Sequence, residues 1–271
     1  MAGHGNLMFR KTEEGAILSY SLCDTPQSSS AHGRAEAFFT TKAVGRKSDV
    51  LCPLLGVAEN RFTRPHQVHG VIIRQVAEEF FLLDTRIRKM LMEGVDAVIY
   101  DVTEACIGVS TADCIPVLCY DKEHHCAAAI HAGWRGSLER IVMRTLDTMA
   151  LAYGTMAENV VSIIGPGISL DSFEVGDEVY DAFLAKGFQV EAFAERRLTR
   201  NVMPRAAYSD ALPMKWHIDL KECNRLQLVE AGVPDVNIMV SDIDTMTDGR
   251  FYSARREGAE TGRMLSGIVL H

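Results

Sequence analysis

The feature that most restricts the fold of this chain is a series of short apolar runs, rich in β-branched residues and spaced closely. "HQVHGVIIRQVA" (66–77), "DAVIYD" (96–101), "ACIGVST" (105–111), "IPVLCYD" (115–121) and "HCAAAIH" (125–131) have the length and composition of strands. Connections too short for crossover helices predict a largely antiparallel or mixed sheet. "AEAFFTT" (35–41) adds a strand before this group, and "VVSIIGPGI" (160–168), "VNIMV" (236–240) and "RMLSGIVL" (263–270) add strands after it.

Helical periodicity appears between these runs. In "SLERIVMRTLDTMALAYG" the residues Leu138, Ile141, Val142, Leu146, Met149, Ala150 and Tyr153 recur at helical spacing, and Gly154 supplies a stop, which predicts a helix over 138–153. Further helices are expected over 48–56, with Ser48 as N-cap and Pro53 as a weak point, over 177–186, and over 216–232. Clustered strands with interspersed helices define the α+β class: mixed β-sheets with flanking helices, in a single domain spanning 1–271. The polar stretch 24–34 reads as a mobile loop, too short to separate two domains.

Charge and cysteine usage narrow the function. With 28 basic and 36 acidic residues the net charge is −8, which disfavours nucleic acid or an anionic membrane as partner; any anion site must be local. The N-terminus carries no apolar stretch of signal-peptide length, so a cytoplasmic protein is expected. Seven cysteines without CxxC spacing read as reduced thiols, and Cys106, Cys119 and Cys126 as small core residues.

Asp113 and Cys114 interrupt an otherwise apolar region, where a charge is costly unless it is partnered or faces a cavity. Cys114 fits two roles, a nucleophile with a His base or a thiolate metal ligand, and spacing does not separate them. His131 ends a later run and His69 ends or turns an earlier one. One Cys and two His with a vacant fourth position match a catalytic zinc centre. Nine His and seven Cys make many such triples, however, and core or surface histidines are the simpler reading of spacing alone. In "HAGWRG" the glycines and Arg135 form a turn that either holds an anion ahead of a helix or only turns the chain. Asp113 reads equally as a general acid/base or as a strand-end carboxylate bound to backbone N–H groups. "GPGISLDSFEVGDEV" is a candidate loop over the site through Phe173 and Glu174, and Arg255 and Arg256 are candidates for its border. Local signatures of P-loops, dinucleotide-binding turns, zincins, serine hydrolases and zinc deaminases are absent.

The blocks "HQVHG", "STADCIPVLCYD", "AAIHAGWRG", "IGPGISLDSFEVG" and "FYSARREGAETGRM" occur in the order and at about the intervals of the YfiH-type family, once called laccase-domain or multicopper polyphenol oxidoreductase proteins. The chain resembles that family from about residue 64 to the C-terminus. The resemblance implies a single domain with mixed sheets and a zinc ion held by His69, Cys114 and His131. It also implies purine nucleoside and phosphate as small-molecule partners: phosphorolysis of adenosine, inosine, guanosine and methylthioadenosine, with adenosine deamination alongside. In that reading zinc in an open site activates phosphate or water, and Arg135 helps to bind the anion. Some members are instead described as peptidoglycan-editing factors, for which Cys114 attacking with His131 as base is the alternative chemistry. Copper fits one His₂Cys centre less well than zinc, and without His-x-His pairs the older laccase label ranks last. On the N-terminal side the chain departs from the family pattern. Lys42 stands at the apparent position of an arginine, with Arg46 and Lys47 as substitutes, and "DIDTMTDG" lacks a cysteine often found there.

Overall fold

The computed structural model describes residues 17–22, 34–199 and 214–271. Most of the loop expected at 24–34 lies outside them.

Two sheets face each other. The first has five strands in the order β1 (Ile17–Ser21), β2 (Ala35–Thr40), β14 (Met264–Leu270), β6 (Ala105–Thr111) and β3 (Phe62–Thr63). The second has six: β13 (Ile238–Val240), β9 (Val160–Ile164), β7 (Ile115–Asp121), β8 (Cys126–Ala132), β5 (Ala97–Tyr100) and β4 (Ile73–Val76). A small third sheet runs β10 (Glu174–Val175), β12 (Met214–Ile218) and β11 (Ala194–Leu198). Both large sheets are mixed: β3–β6, β4–β5 and β9–β13 pair in parallel, the remaining pairs antiparallel.

Side-chain alternation assigns each strand residue to a layer. Phe39, Ile107, Val109 and Ile268 of the first sheet meet Val98, Leu118, Ala129 and Ile163 of the second in the central core. The opposite face of the second sheet, with Ile99, Val117 and Ile130, is covered by α5 (Ile141–Tyr153), α6 (Asp177–Ala185) and α7 (Leu220–Glu230). The outer face of the first sheet, with Phe38, Cys106 and Leu265, is covered by α1 (Ser48–Leu55). Strands buried on both faces read as continuous apolar runs, which is why β7 and β8 are so plain in the sequence. No described helix is long and apolar enough to cross a membrane.

Several local expectations change. The connection from β4 to β5 is long enough for α2 (Glu78–Leu82) and α3 (Thr85–Leu91), so this pair is parallel. The run 66–77 is a strand only over its last part, leaving 66–72 free of regular pairing apart from a bridge at His66. The helix expected from 138 is broken: α4 (Trp134–Leu138) ends in a turn at Arg140, which has φ 60°, and α5 begins at Ile141. The segment expected to be helical from 216 begins as strand β12, and Asp219 caps α7 by accepting from the backbone N–H groups of Lys221 and Glu222. For α1 the N-cap is Lys47, and the Ser48 hydroxyl bonds Glu59 instead.

In the first sheet, Gly267 of β14 lies opposite both Phe38 and Gly108. A Cβ there would sit 2.3 Å from the Ile107 carbonyl oxygen and 2.9 Å from the Gly108 Cα. Gly267→Ala is therefore expected to lower the unfolding free energy by about 1–3 kcal/mol through overpacking, read by urea denaturation.

Candidate metal centre

The centre forms where the chain passes from one sheet to the other. β6 ends at Thr111 in the first sheet and β7 starts at Ile115 in the second, so "ADC" is a corner. Asp113 takes φ 84°, in the left-handed region that is uncommon for a residue with a side chain. Cys114 follows, immediately before β7. His131 lies near the end of the neighbouring β8, paired with Pro116. His69 arrives from the irregular segment before β4, also with a left-handed backbone, φ 63°.

One ligand atom from each of His69, Cys114 and His131 lies within 4.8 Å of the other two. Among the described residues no other His, Cys, Asp or Glu joins them, and no second cluster of this kind exists. His131 is buried, Cys114 half-buried and His69 exposed, so the group has a deep end and an open end. The two imidazoles meet edge to face with centroids 5.0 Å apart. Burial by itself raises the Cys114 thiol, but the imidazoles, His131 foremost, overcome it and bring the pKa down to about 6. The thiolate is thus the favoured form at neutral pH, and the thiolate is the form that ligates metal. Gly133 closes the wall beside the ligands: a Cβ there would lie 3.0 Å from Cys114 Sγ and 3.2 Å from His69 Cδ2.

The residue that the sequence reading missed is Asp96. Its carboxylate is fully buried and accepts from His131 Nδ1 at 2.8 Å, His69 N at 3.0 Å, Gly70 N at 2.8 Å and Val68 N at 3.2 Å. The Asp96 carbonyl also accepts from His131 N at 2.8 Å. One carboxylate thereby orients the His131 ring with Nε2 left for a ligand and holds the turn that carries His69. The sequence signal was present, an Asp opening the apolar run "DAVIYD", but its partners lie 26 to 35 positions away.

The side chains of Asp113, Arg255 and Arg256 are engaged with one another's segments and not with the triad. The Asp113 carboxylate turns to the C-terminal segment, accepting from Thr245 Oγ1 at 2.7 Å, Ser253 Oγ at 3.0 Å and Arg255 N at 2.7 Å. Arg255 donates onward to the Glu174 carbonyl and lies over the Phe173 ring. Arg256 is spent on the carbonyls of Thr245, Met246 and Phe251 and on Glu257. Phe173 and Glu174 therefore lie where the preceding loop enters β10, clamped by the C-terminal segment. Arg135 is exposed on α4, its guanidinium 4.3 Å from the centroid of Trp134.

The fold and the open three-ligand cluster define a protein of two large mixed sheets and one small sheet with one candidate metal centre among the described residues. A family model described as multi-copper polyphenol oxidoreductase laccase matches residues 39–271, and the chain belongs to that family. It is 43% identical over 208 residues to a purine nucleoside phosphorylase of Bacteroides thetaiotaomicron, covering 76% of this chain and 72% of the relative. It is 35% identical over 215 residues to the adenosine deaminase RL5 of an unknown prokaryotic organism, covering 79% and 77%. Its fold is similar to the crystal structure of YlmD from Geobacillus stearothermophilus, with TM-score 0.74, 24% identity and coverage of 96% and 98%. The Bacillus licheniformis hypothetical protein YfiH gives the same TM-score and identity, with coverage of 90% and 98%.

Asp96→Asn replaces half of an all-acceptor group with a donor that faces N–H groups. Zinc affinity, read by competition with a chromogenic chelator, is expected to fall about 10–100-fold. Unchanged affinity would remove Asp96 from the support of the ligands.

Proposed function

We propose that the protein is a zinc-dependent purine nucleoside phosphorylase acting on adenosine, inosine, guanosine and methylthioadenosine, with adenosine deamination as a second reaction of the same centre. The observation that carries this reading is the His69–Cys114–His131 cluster, three convergent ligands with an open side. Two imidazoles and a low-pKa thiolate suit zinc, and a three-ligand set leaves the position that a catalytic site requires. The names carried by relatives at 43% and 35% identity supply the substrate class and both reactions.

A zinc ion held here supplies a Lewis-acid centre that serves either phosphate or water at neutral pH. The chain supplies the rest. His131 is kept in one tautomer by Asp96, and His69 is held at the mouth of the site by the same carboxylate. Arg135, exposed on the helix that follows Gly133, donates to the phosphate oxygens. In phosphorolysis a hydrogenphosphate oxygen bonds to ribose C1′ as the bond to the purine breaks, and the proton of the hydrogenphosphate ends on the departing base. Asp113 is assigned a positioning role, because three donors already occupy its carboxylate and general acid/base work would require releasing them. The family's oxidase label fits less well, since one three-ligand centre does not store the electrons needed to reduce dioxygen to water.

The test is product chromatography of adenosine incubated with zinc-loaded protein, with and without phosphate, beside Cys114→Ala. Phosphate-dependent adenine and ribose 1-phosphate are expected, together with inosine from deamination, and turnover should fall more than about a hundredfold in the variant. Metal-replete protein that forms neither adenine nor inosine would overturn the reading in favour of a Cys114/His131 hydrolase acting on a peptidoglycan precursor.

A further inference from the structure

Helix α7 buries polar side chains where a helix covering a sheet ordinarily buries apolar ones. Asn224 and Gln227 are fully buried, and both turn to α4, the short helix that follows Gly133. Asn224 Nδ2 donates to Ser137 Oγ at 2.9 Å and to the Leu220 carbonyl at 2.6 Å. Gln227 Nε2 donates to the Ser137 carbonyl at 3.0 Å. Further along α7, Glu230 accepts from Arg140 Nη1 at 2.7 Å. Their spacing of three residues places Asn224, Gln227 and Glu230 on one ridge of α7, and that ridge follows α4 from Ser137 to the turn at Arg140.

This grip has a physical reason. α4 is five residues long and is cut from α5 by the left-handed Arg140, so few helical hydrogen bonds of its own hold it in place. The acceptor half of the Gln227 amide, Oε1, is buried without a partner. An apolar side chain of the same shape would avoid that cost, so the amide serves what its Nε2 holds. Buried polar contacts of this kind contribute modest net stability, and what they fix is which surfaces meet.

The residue they hold is bonded directly to the wall of the metal centre. Ser137 N donates to the Gly133 carbonyl at 2.8 Å. Gly133 stands against Cys114 Sγ and the His69 ring, and at Gly136 a Cβ would lie 3.4 Å from the Gly70 carbonyl oxygen and 3.5 Å from the His131 carbonyl oxygen. α4 therefore leans on all three ligand segments. Asp96 steadies the two histidine segments, but none of its bonds reaches Cys114; α4 is what brings Gly133 against the sulfur.

We propose that Asn224 and Gln227 are positioning residues for the metal centre: through Ser137 they hold α4 so that Gly133 keeps its place against Cys114 and His69. The same hold fixes where Arg135 stands, two residues before Ser137. Both side chains act at one remove, since their bonds go to α4 and to α7 itself. The proposal rests on the triad being a metal centre and is independent of the nucleoside reading.

The test is titration of the metal-free full chain with cobalt(II), whose absorption reports coordination geometry and the thiolate bond where the d¹⁰ zinc ion is silent. Asn224→Leu and Gln227→Met keep roughly the size of each side chain and remove its donor. Each is expected to weaken cobalt affinity about tenfold, the lower end of what outer supports of metal ligands contribute, and to shift or weaken the thiolate-to-cobalt band. Gly267→Ala, in the first sheet, controls for lost stability alone and is expected to leave affinity and spectrum unchanged. Urea denaturation establishes that each variant is folded, and Ser137→Ala, which removes only a hydroxyl, replaces Asn224→Leu should that variant not fold. Unchanged affinity and spectrum in the folded variants, or equal changes in Gly267→Ala, would overturn the positioning role. An unsubstituted protein that takes up no cobalt would overturn the metal centre itself, and this proposal with it.

Discussion

The candidate centre depends on one buried carboxylate. Asp96 immediately precedes β5, and its backbone is already committed, its N–H to the Ile72 carbonyl and its own carbonyl to His131 N. Its side chain then gathers four further donors from two segments that do not pair as strands with each other. A buried carboxylate without partners is costly, and here every approach is filled by an N–H. The same bonds that satisfy the charge place both imidazoles, so the ligand geometry and the stability of this corner have one origin.

The second constraint is the corner at Asp113. A sheet-to-sheet crossing within three residues demands an unusual backbone angle, and Asp113 supplies it with a side chain that is itself held by three donors from the C-terminal segment. His69 also has a positive φ, so two of the five described non-glycine residues with that geometry flank or belong to the triad. Strained backbone persists where surrounding bonds over-determine it, and both positions are over-determined by carboxylates, Asp96 in one case and Asp113's own in the other. The C-terminal segment reaches the site through Asp113 and the loop 165–175 through Asp244, which accepts from Ser169 N and Ser172 Oγ.

Much of this was legible in the chain. Continuous apolar runs predicted β2, β5, β6, β7, β8 and β14 nearly to the residue, because strands with both faces covered must be apolar throughout. The polar interruption at Asp113-Cys114 marked the place where the chain changes sheets, and the resemblance named His69 and His131 as its companions. The reading failed where the outcome depends on distant contacts. Residues 216–218 satisfy a helical pattern locally, yet β10 and β11 recruit them as a strand. The expected helix over 138–153 carries its apolar spacing through Arg140, and no periodicity reports the left-handed residue that divides it.

Residue types along the chain determined the α+β class, the cysteine and histidines able to bind a soft metal, and the overall acidity that confines any anion site to a local patch. These properties are set by composition and short-range alternation. Tertiary structure decided that His69, Cys114 and His131 converge and that the buried Asp96 carboxylate holds the two histidine segments. Each of these follows from which strand lies beside which, and strand neighbours are chosen by burial of two sheet faces against each other, a quantity that no single segment contains.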